Sequence, residues 1–248
     1  MEKIDIRGVL FDNVDMNEAL EFCKKRVLDK EQCVVFTPNA EIVQMAVEDE
    51  NFKALVNSAD LIVPDGAGVI LASKILKKPL KSKVAGVELS ENLVKMSGDV
   101  GMKFYFYGSS PDAENGKSVA ETAREKLLEK YPDAQIVGTS HGFVKPDETH
   151  ALIEKINHSG ADVLFVCLGV PRQEKWIAEN RHRLSPKLIL GLGGSLDVFA
   201  GCVRRAPKIF IKLNLEWLYR LLLQPSRIGR MMKLPKFILS TIFSGKRG

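Results

Sequence analysis

The sequence predicts an α/β protein of Rossmann-like architecture, in which helices flank a mainly parallel sheet and a basic helical appendage follows at the C-terminus. Short β-branched runs that are apolar along their whole length alternate with segments of helical periodicity. Strands that are buried on both faces have this composition, and their alternation with helices favours parallel pairing. A third observation, the near disappearance of acidic residues after Gly201, separates the appendage from the body.

Seven strands and several helices are expected in the body. The strands are Ile4–Phe11, Gln32–Thr37, Leu61–Val63, Lys103–Tyr107, Ala134–Thr139, Val163–Leu168 and Lys187–Gly191. A capping box at Asp15 and Glu18 predicts the start of the first helix. A second helix is expected to fill Pro111–Tyr131, and a third is expected to begin near Pro171.

The composition is typical of a folded protein. Apolar residues make up 45% of the 248 residues and charged residues 27%, which allows a packed core and argues against disorder. The N-terminus has no charged segment followed by an apolar run, so no secretory signal is expected. No apolar stretch approaches the roughly 18–20 residues of a transmembrane helix. Four cysteines without a CxxC pair fit a reduced, cytosolic setting.

Charge is distributed unevenly along the chain. Residues 201–248 carry 11 Lys and Arg side chains and one acid, Glu216, so a tail of net charge +10 follows a body of net charge −5. We therefore expect an α/β domain over residues 1–200 and a basic amphipathic helical appendage over residues 201–248. A tail of this charge favours an anionic partner, which could be phospholipid, a lipid diphosphate or nucleic acid.

Apolar residues are interleaved with the cations of the tail. Arg204, Lys208 and Lys212 share one helical stripe, and the aromatic residues of the tail are Phe210, Trp217, Tyr219, Phe237 and Phe243. This pattern predicts a pair of helices on an anionic membrane surface, with Pro235 interrupting the second. The alternative is a docked helix with a solvated basic face. Nucleic acid is not expected, because the tail has neither zinc-ligand spacing nor heptads.

Polar residues follow two strands at the edge where a parallel sheet binds ligands. Thr37 and Asn39 offer a hydroxyl and an amide that suit sugar hydroxyls, although the segment taken alone favours a cap for a helix that begins at Ala40. Asp65 leaves a buried strand and is followed by two glycines. It could act as a general base toward a sugar hydroxyl, or it could cap the helix Ala67–Ile75.

Three further joints between strands and helices are candidate ligand sites. Gly108 opens a small-residue turn that could hold an anion at a helix N-terminus, or could be an ordinary turn. Arg172 and Gln173 lie in a first helical turn, where a cation is unfavourable for the helix dipole; this favours a diphosphate contact, with a solvated turn as the alternative. Gly194 permits close approach of a ligand, and Asp197 could accept a hydrogen bond from uracil or ribose, or cap a helix.

The motifs of metal and dinucleotide sites do not occur. The sequence has no HExxH, no clustered histidines and no Asp-x-Asp pair, so we expect no catalytic metal. It also has neither GxGxxG nor GxxxxGK[ST], which argues against a dinucleotide fingerprint and a P-loop. No cofactor is therefore expected.

Six segments occur in order along the chain. They are Thr37-Pro-Asn39, Pro64-Asp65-Gly66, Val84-Ala-Gly86-Val, Leu168-Gly-Val-Pro-Arg-Gln173-Glu-Lys-Trp176, Gly191-Leu-Gly-Gly-Ser-Leu-Asp197, and Arg205-Ala-Pro207 with Leu215-Glu-Trp217-Leu-Tyr-Arg220. Together these segments resemble the WecG/TagA/CpsF glycosyltransferases, and most closely the TagA-type members. The likeness runs from about Asp5 to Arg230.

The resemblance implies an inverting, metal-independent transfer of N-acetylmannosamine in the synthesis of the wall teichoic acid linkage unit. The donor would be the uridine diphosphate (UDP) sugar, and the acceptor the 4-hydroxyl of N-acetylglucosamine on undecaprenyl diphosphate. The family's base would fall on Asp65, its sugar contacts on Thr37 and Asn39, its donor-contacting glutamine on Gln173, and its uracil-side aspartate on Asp197.

The resemblance also implies a role for the appendage at the inner face of the cell membrane. Its arginines would close over the diphosphate, a role that maps to Arg220, Arg227 and Arg230. Lys83 stands where many relatives have arginine, and it replaces a bidentate fork by one point charge. Phe143 stands where an aromatic hydroxyl is often found, so stacking on uracil is retained and a polar contact is lost. A tail that folds back also favours self-association away from the membrane.

Other functions remain open on the residues alone. One is a non-catalytic UDP-sugar sensor that its basic tail recruits to the membrane. Another is a nucleotide-dependent oxidoreductase, against which the missing GxGxxG counts. Within the family, N-acetylmannosaminuronic acid, N-acetylglucosamine and glucose are alternative donor sugars, because they differ by one or two groups that a few pocket contacts could select.

Overall fold

The computed structural model describes residues 1–112, 116–203, 207, 210, 219 and 233–244. The first element of the chain is an antiparallel hairpin. Strands β1 (Lys3–Ile6) and β2 (Val9–Asp12) pair with each other in a separate small sheet. The prediction of one strand over Ile4–Phe11 is therefore wrong. Arg7 and Gly8 have φ of +59° and +90°, and positive φ at both central residues gives a turn whose twist suits a two-residue hairpin.

Six parallel strands form the central sheet, as predicted. They are β3 (Cys33–Phe36), β4 (Leu61–Ile62), β5 (Lys103–Gly108), β6 (Gln135–Ser140), β7 (Val163–Cys167) and β8 (Leu188–Gly191). Their order across the sheet is β4-β3-β8-β7-β5-β6, with every neighbouring pair parallel. Each of the six matches a predicted strand to within a few residues. Because all six run in one direction, the segments that follow them meet along one edge of the sheet.

Helices cover both faces of this sheet. In chain order they are α1 (Met16–Leu28), α2 (Ala40–Glu48), α3 (Glu50–Asn57), α4 (Ala67–Ile75), α5 (Gly86–Lys95), α6 (Ser97–Val100), α7 (Val119–Lys130), α8 (Thr149–His158), α9 (Arg172–Asn180), α10 (Ser195–Phe199) and α11 (Lys233–Ser244). Short 3₁₀ turns occupy Pro146–Glu148 and Arg181–Arg183. The predicted helix starts at Asp15 and Pro171 are confirmed, and the Asp15–Glu18 capping box is present.

Two apolar layers bury the faces of the sheet. Successive residues of a strand point to opposite faces, so Val35 joins one layer while Val34 and Phe36 join the other. The first layer contains side chains from α1, α5, α7 and α10, and the second from α2, α3, α4, α8, α9 and α11. This double coverage is why the strand sequences are apolar along their whole length.

Helix α7 is shorter than predicted. It begins at Val119 and not at Pro111, and Ser118 with Glu121 forms a capping box at its start. The Ser118 hydroxyl accepts from the Glu121 backbone, and the Glu121 carboxylate accepts from the Ser118 backbone. Two backbone N–H groups are thereby hydrogen-bonded at the start of the helix. This stabilises a helix start at Val119 more than a start at Pro111.

Helix α11 packs on the body through its buried face. Phe237 is fully buried between α11, α2 and α4, so the prediction that this ring lies on a membrane surface is wrong, whereas Phe243 is 66% exposed. Lys236 forms an ion pair of 2.6 Å with Glu48 of α2. Pro235 lies within α11 as its third described residue, and the segment before Lys233, which the predicted interruption concerns, lies outside the described residues.

Little else of the appendage belongs to the described part of the chain. The rings of Phe210 and Tyr219 contact each other, with centroids 5.3 Å apart. Arg204, Lys208, Lys212 and Trp217 lie outside the described residues. Within the ranges that the structure covers, no helix has the length and apolar character needed to cross a bilayer.

Candidate active site

A cleft of about 610 Å³ runs along the carboxyl ends of the central strands. This volume is within the range of small-molecule sites. Eight of the residues proposed from the sequence line it, namely Thr37, Asn39, Asp65, Phe143, Arg172, Gln173, Gly194 and Asp197. Segments after β4 and β5 both contribute, and these strands are four spacings apart, roughly 19 Å. The cleft therefore crosses most of the sheet.

Asp65 lies at the end of the cleft that follows β4. Its backbone N–H donates to Pro38 O at 3.1 Å, which ties the segment after β4 to the segment after β3. The carboxylate is half-buried and accepts from the Gly86 N–H at 3.2 Å. Gly66, at φ of +92°, is the N-cap residue of α4 and makes no side-chain cap bond. The helix-cap alternative for Asp65 is therefore wrong, and its carboxylate lines the cleft.

Thr37 and Asn39 lie beside Asp65. The Thr37 hydroxyl donates to Gly191 O at 3.4 Å, and a Cβ on Gly86 would be 2.8 Å from Thr37 Oγ1, so these segments are in close contact. The Asn39 side-chain oxygen accepts from the backbone of Glu41 and Ile42 at 2.9 and 3.1 Å. The cap of α2 thus uses Asn39 Oδ1, and the Nδ2 group is the part of this side chain that the cap does not engage.

The first turn of α11 forms an apolar wall next to this end of the cleft. Leu234 lines the cleft, and a Cβ on Gly68 would lie 2.6 Å from Leu234 Cδ1 and 2.9 Å from the Cβ of Ala40. Gly68 thus allows close approach of the terminal helix. Leu234 was not expected at the site, because no local pattern indicates that residues so far apart in the chain touch.

A serine–aspartate pair marks the other end of the cleft. Ser109, just after β5, donates its hydroxyl to Asp197 Oδ2 at 3.0 Å. Asp197 lies inside α10, so it does not cap that helix, whereas Gly194 is the N-cap residue and is exposed at the cleft. Ser109 was not proposed as a site residue, although it follows a strand as the proposed residues do.

Gly108 does not line the cleft, but it packs next to this end. It has φ of +143° and its Cα lies against the backbone of Cys167, which a side chain would prevent. Ser109 and Ser110 line the cleft in its place. Because α7 begins only at Val119, the anion site predicted at a helix N-terminus directly after Pro111 is not formed.

Phe143, Arg172 and Lys83 are placed differently from one another. Phe143 lines the cleft with 64% of its surface exposed, in the segment after β6. Arg172 is exposed at the start of α9 and donates to Gly142 O at 3.3 Å. Lys83 is half-buried and is not among the residues that line the cleft. The proposed diphosphate ligands Arg220, Arg227 and Arg230 lie outside the described residues.

Gln173 is buried at the centre of the cleft floor, where both ends of its amide are engaged. Gln173 Oε1 accepts from the Gly193 N–H at 2.8 Å, and Nε2 donates to Glu174 Oε1 at 2.8 Å. Glu174 is 1% exposed, and burial raises the pKa of its carboxyl above the ordinary value of 4.5, an effect that the Gln173 hydrogen bond partly opposes. Glu174 was not expected at the site, since an acid in a first helical turn is usually a solvated partner of the helix dipole.

The described residues include no group of three or more His, Cys, Asp or Glu side chains arranged to hold a metal ion. Cys167 is a buried residue of the cleft lining, and burial raises the pKa of its thiol to about 12. Cys167 is therefore neutral near pH 7 and is not a nucleophile there. Among the described residues, the carboxylates that line the cleft are those of Glu41, Asp65 and Asp197.

Comparison with known proteins agrees with the resemblance found in the motifs. The family model described as glycosyl transferase WecG/TagA/CpsF matches residues 4–248. Two relatives share the name N-acetylglucosaminyldiphosphoundecaprenol N-acetyl-beta-D-mannosaminyltransferase. The protein from Bacillus spizizenii is 35% identical over 98% of this chain and 91% of its own length. The Staphylococcus aureus protein is 37% identical over 95% of this chain and 91% of its own. The chain therefore belongs to the WecG/TagA/CpsF family of glycosyltransferases.

Proposed function

We propose that the chain transfers N-acetylmannosamine from UDP-N-acetylmannosamine to N-acetylglucosamine on undecaprenyl diphosphate, as a step in wall teichoic acid linkage-unit synthesis. The relatives are named for a transfer of this sugar to this lipid-linked acceptor. The observation that carries the proposal is the single cleft that holds Asp65 near one end and the Ser109–Asp197 pair near the other. Its reach of four strand spacings leaves room for acceptor sugar, donor sugar and nucleotide in line.

Asp65 is the proposed general base. Its carboxylate takes the proton of the acceptor 4-hydroxyl, whose oxygen attacks the anomeric carbon of the donor sugar. The new carbon–oxygen bond forms on the face opposite the diphosphate, and the bond from the anomeric carbon to the diphosphate oxygen breaks. The configuration inverts, and the electron pair leaves with UDP. The half-buried position of Asp65 and its place in the cleft beside Thr37 support this role.

Cationic side chains are proposed to neutralise the departing diphosphate in place of a metal ion. Arg172 lines the cleft, and the tail adds a net charge of +10. We assign the remaining contacts with the diphosphate to Arg220, Arg227 and Arg230. Lys83 of the body is proposed to add one further positive charge. Cations that are positioned before reaction stabilise charge that develops in the transition state.

The nucleotide is proposed to occupy the end of the cleft near β5 and β8. Asp197 would accept a hydrogen bond from uracil or ribose, and its bond from Ser109 holds the carboxylate in place. The exposed ring of Phe143 can stack on the base. Gly194 would allow the backbone to approach the donor closely.

The appendage is proposed to hold the enzyme on the inner face of the cell membrane, where the lipid acceptor lies. The basic charge of the tail supports this, as do the exposed apolar side chains of Leu239, Ile242 and Phe243 on α11. Away from the membrane, the same apolar side chains would favour self-association. The proposed location is therefore cytoplasmic and peripheral.

The test is a transfer assay with purified protein, a soluble lipid-diphosphate N-acetylglucosamine analogue and a panel of UDP-sugars, with and without EDTA. Coupled product is expected with UDP-N-acetylmannosamine in both conditions. Asp65→Asn should lower kcat by about 10²–10⁴-fold while UDP binding persists. Asp147→Asn, an exposed change outside the cleft, is the matched control. No coupled product with any donor, or an Asp65→Asn variant as active as the control, would contradict the proposal.

A further inference from the structure

A buried carboxyl stands directly behind the cleft floor without contacting the cleft itself. Glu174 is 1% exposed, lies in the first turn of α9 and is not among the lining residues. Its Oε2 atom has no hydrogen-bond partner in the described part of the chain. A buried polar atom without a partner is destabilising, so stability alone does not explain a glutamate at this position.

The orientation of the Gln173 amide follows from its two neighbours. The Gly193 N–H can only donate, so the atom that meets it at 2.8 Å must be Gln173 Oε1. Nε2 then faces Glu174 Oε1 at 2.8 Å. In the reverse orientation two N–H groups would oppose each other at Gly193, and two oxygens would oppose each other at Glu174. The two contacts therefore select one orientation together.

Space around the Gln173 amide is also restricted. A Cβ on Gly191 would lie 3.2 Å from Gln173 Nε2 and 3.0 Å from the ring of Phe36. The amide is thus enclosed by the end of β8, and it bonds the turn that follows this strand. Gly193 has φ of +57°, and the next residue, Gly194, is exposed at the cleft. This turn therefore forms part of the cleft lining.

We propose that Glu174 is a positioning residue for donor binding: it fixes the Gln173 amide, which in turn holds the Gly193–Gly194 turn against the start of α9. Glu174 touches no substrate in this arrangement and takes no part in the chemical step. The inference rests on the proposed function, because it assumes that the nucleotide sugar docks on this turn. What Glu174 must supply is one hydrogen-bond acceptor at the Oε1 position.

Kinetics of two substitutions test this requirement. Glu174→Met keeps the approximate shape of the side chain and removes the acceptor, so we expect KM for the UDP-sugar to rise about tenfold, as loss of one hydrogen bond implies, with kcat changed less than about twofold. Glu174→Gln retains a carbonyl oxygen, and KM should stay within about twofold of the original. Glu179→Met is the matched control, since Glu179 is exposed on the same helix.

A double substitution separates positioning from general loss of structure. If Glu174 acts through Gln173, Glu174→Met should add no further increase in KM once Gln173→Met is present. Additive effects would overturn the proposal. So would a fall in kcat without a change in KM, or a Glu174→Gln variant as impaired as Glu174→Met.

The unsubstituted protein provides a test that does not depend on a variant that folds. In NMR spectra, the Gln173 Nε2 protons should exchange with solvent at least tenfold more slowly than those of the partly exposed Gln135. Equal exchange rates for Gln173 and Gln135 would refute the proposal that Glu174 fixes the Gln173 amide. UDP binding measured by calorimetry separates failure of the proposed function from failure of the role of Glu174. Absence of UDP binding with slow Gln173 exchange rejects the proposed function, whereas UDP binding with fast exchange rejects only the role of Glu174.

Discussion

Replacing Phe237 by Ala removes a fully buried ring from the contact of α11 with α2 and α4. Transfer of a Phe side chain from water contributes about 1.5–3 kcal/mol, and the cavity left by truncation raises the total cost to about 3–5 kcal/mol. Helix α11 has 12 residues, and an isolated helix of this length is marginal in water. We therefore expect α11 to detach while the body stays folded.

Hydrogen exchange of the peptide covering residues 233–244 measures this opening. A loss of about 3 kcal/mol corresponds to roughly 150-fold faster exchange in α11, with little change in peptides of the central sheet. Phe243→Ala is the matched control on the same helix, because Phe243 is 66% exposed, and its effect should stay within about 0.5 kcal/mol.

Transferase activity on a soluble acceptor analogue should fall with Phe237→Ala, because Leu234 then leaves the cleft wall. The control should retain its activity. Equal exchange rates in the two variants, or unchanged exchange in Phe237→Ala, would refute the docking of α11 by this face.

Two further predictions concern the cleft and the carboxyl behind it. Ser109→Ala removes the hydroxyl that positions the α10 carboxylate and should raise KM for the UDP-sugar about five- to tenfold, whereas Ser110→Ala in the same turn should change it less than twofold; equal effects on KM would contradict the pairing. Folding raises the pKa of Glu174 above its ordinary value of 4.5. The contribution of the protonated carboxyl to the free energy of unfolding is therefore fully present below pH 4.5 and is lost as pH rises through the folded-state pKa. Glu174→Gln should therefore raise Tm at pH 7 by more than it does at pH 4, and a difference independent of pH would contradict the pKa shift.

The local chemistry of several elements could be predicted from the sequence. The Asp15–Glu18 capping box and six of the seven strands are present where the patterns placed them. The hairpin at Arg7–Gly8 was missed because an apolar run without a strong turn signal looks like one strand. The start of α7 at Val119 was missed because the residues after Pro111 have helical composition, while the cap at Ser118 decides where the first turn forms.

The candidate site was predictable for a physical reason. In a parallel sheet, residues that follow different strands meet at one edge, so placing Asp65 and Asp197 in segments that follow strands was enough to bring them to the same cleft. Sequence could not decide whether Asp65 caps α4 or lines the cleft, or show that a cap engages Asn39 Oδ1. Those outcomes depend on backbone angles of one or two residues.

Strand composition and the order of the polar segments in the chain thus establish the fold class, the edge that carries the site and the family. Burial of Glu174 and Phe237, and the contact of Leu234 with Gly68, came only from the folded chain. Each depends on which distant segment covers a side chain, and local periodicity carries no information about that partner. A charged or aromatic residue therefore looks the same in sequence whether water, lipid or another helix lies against it.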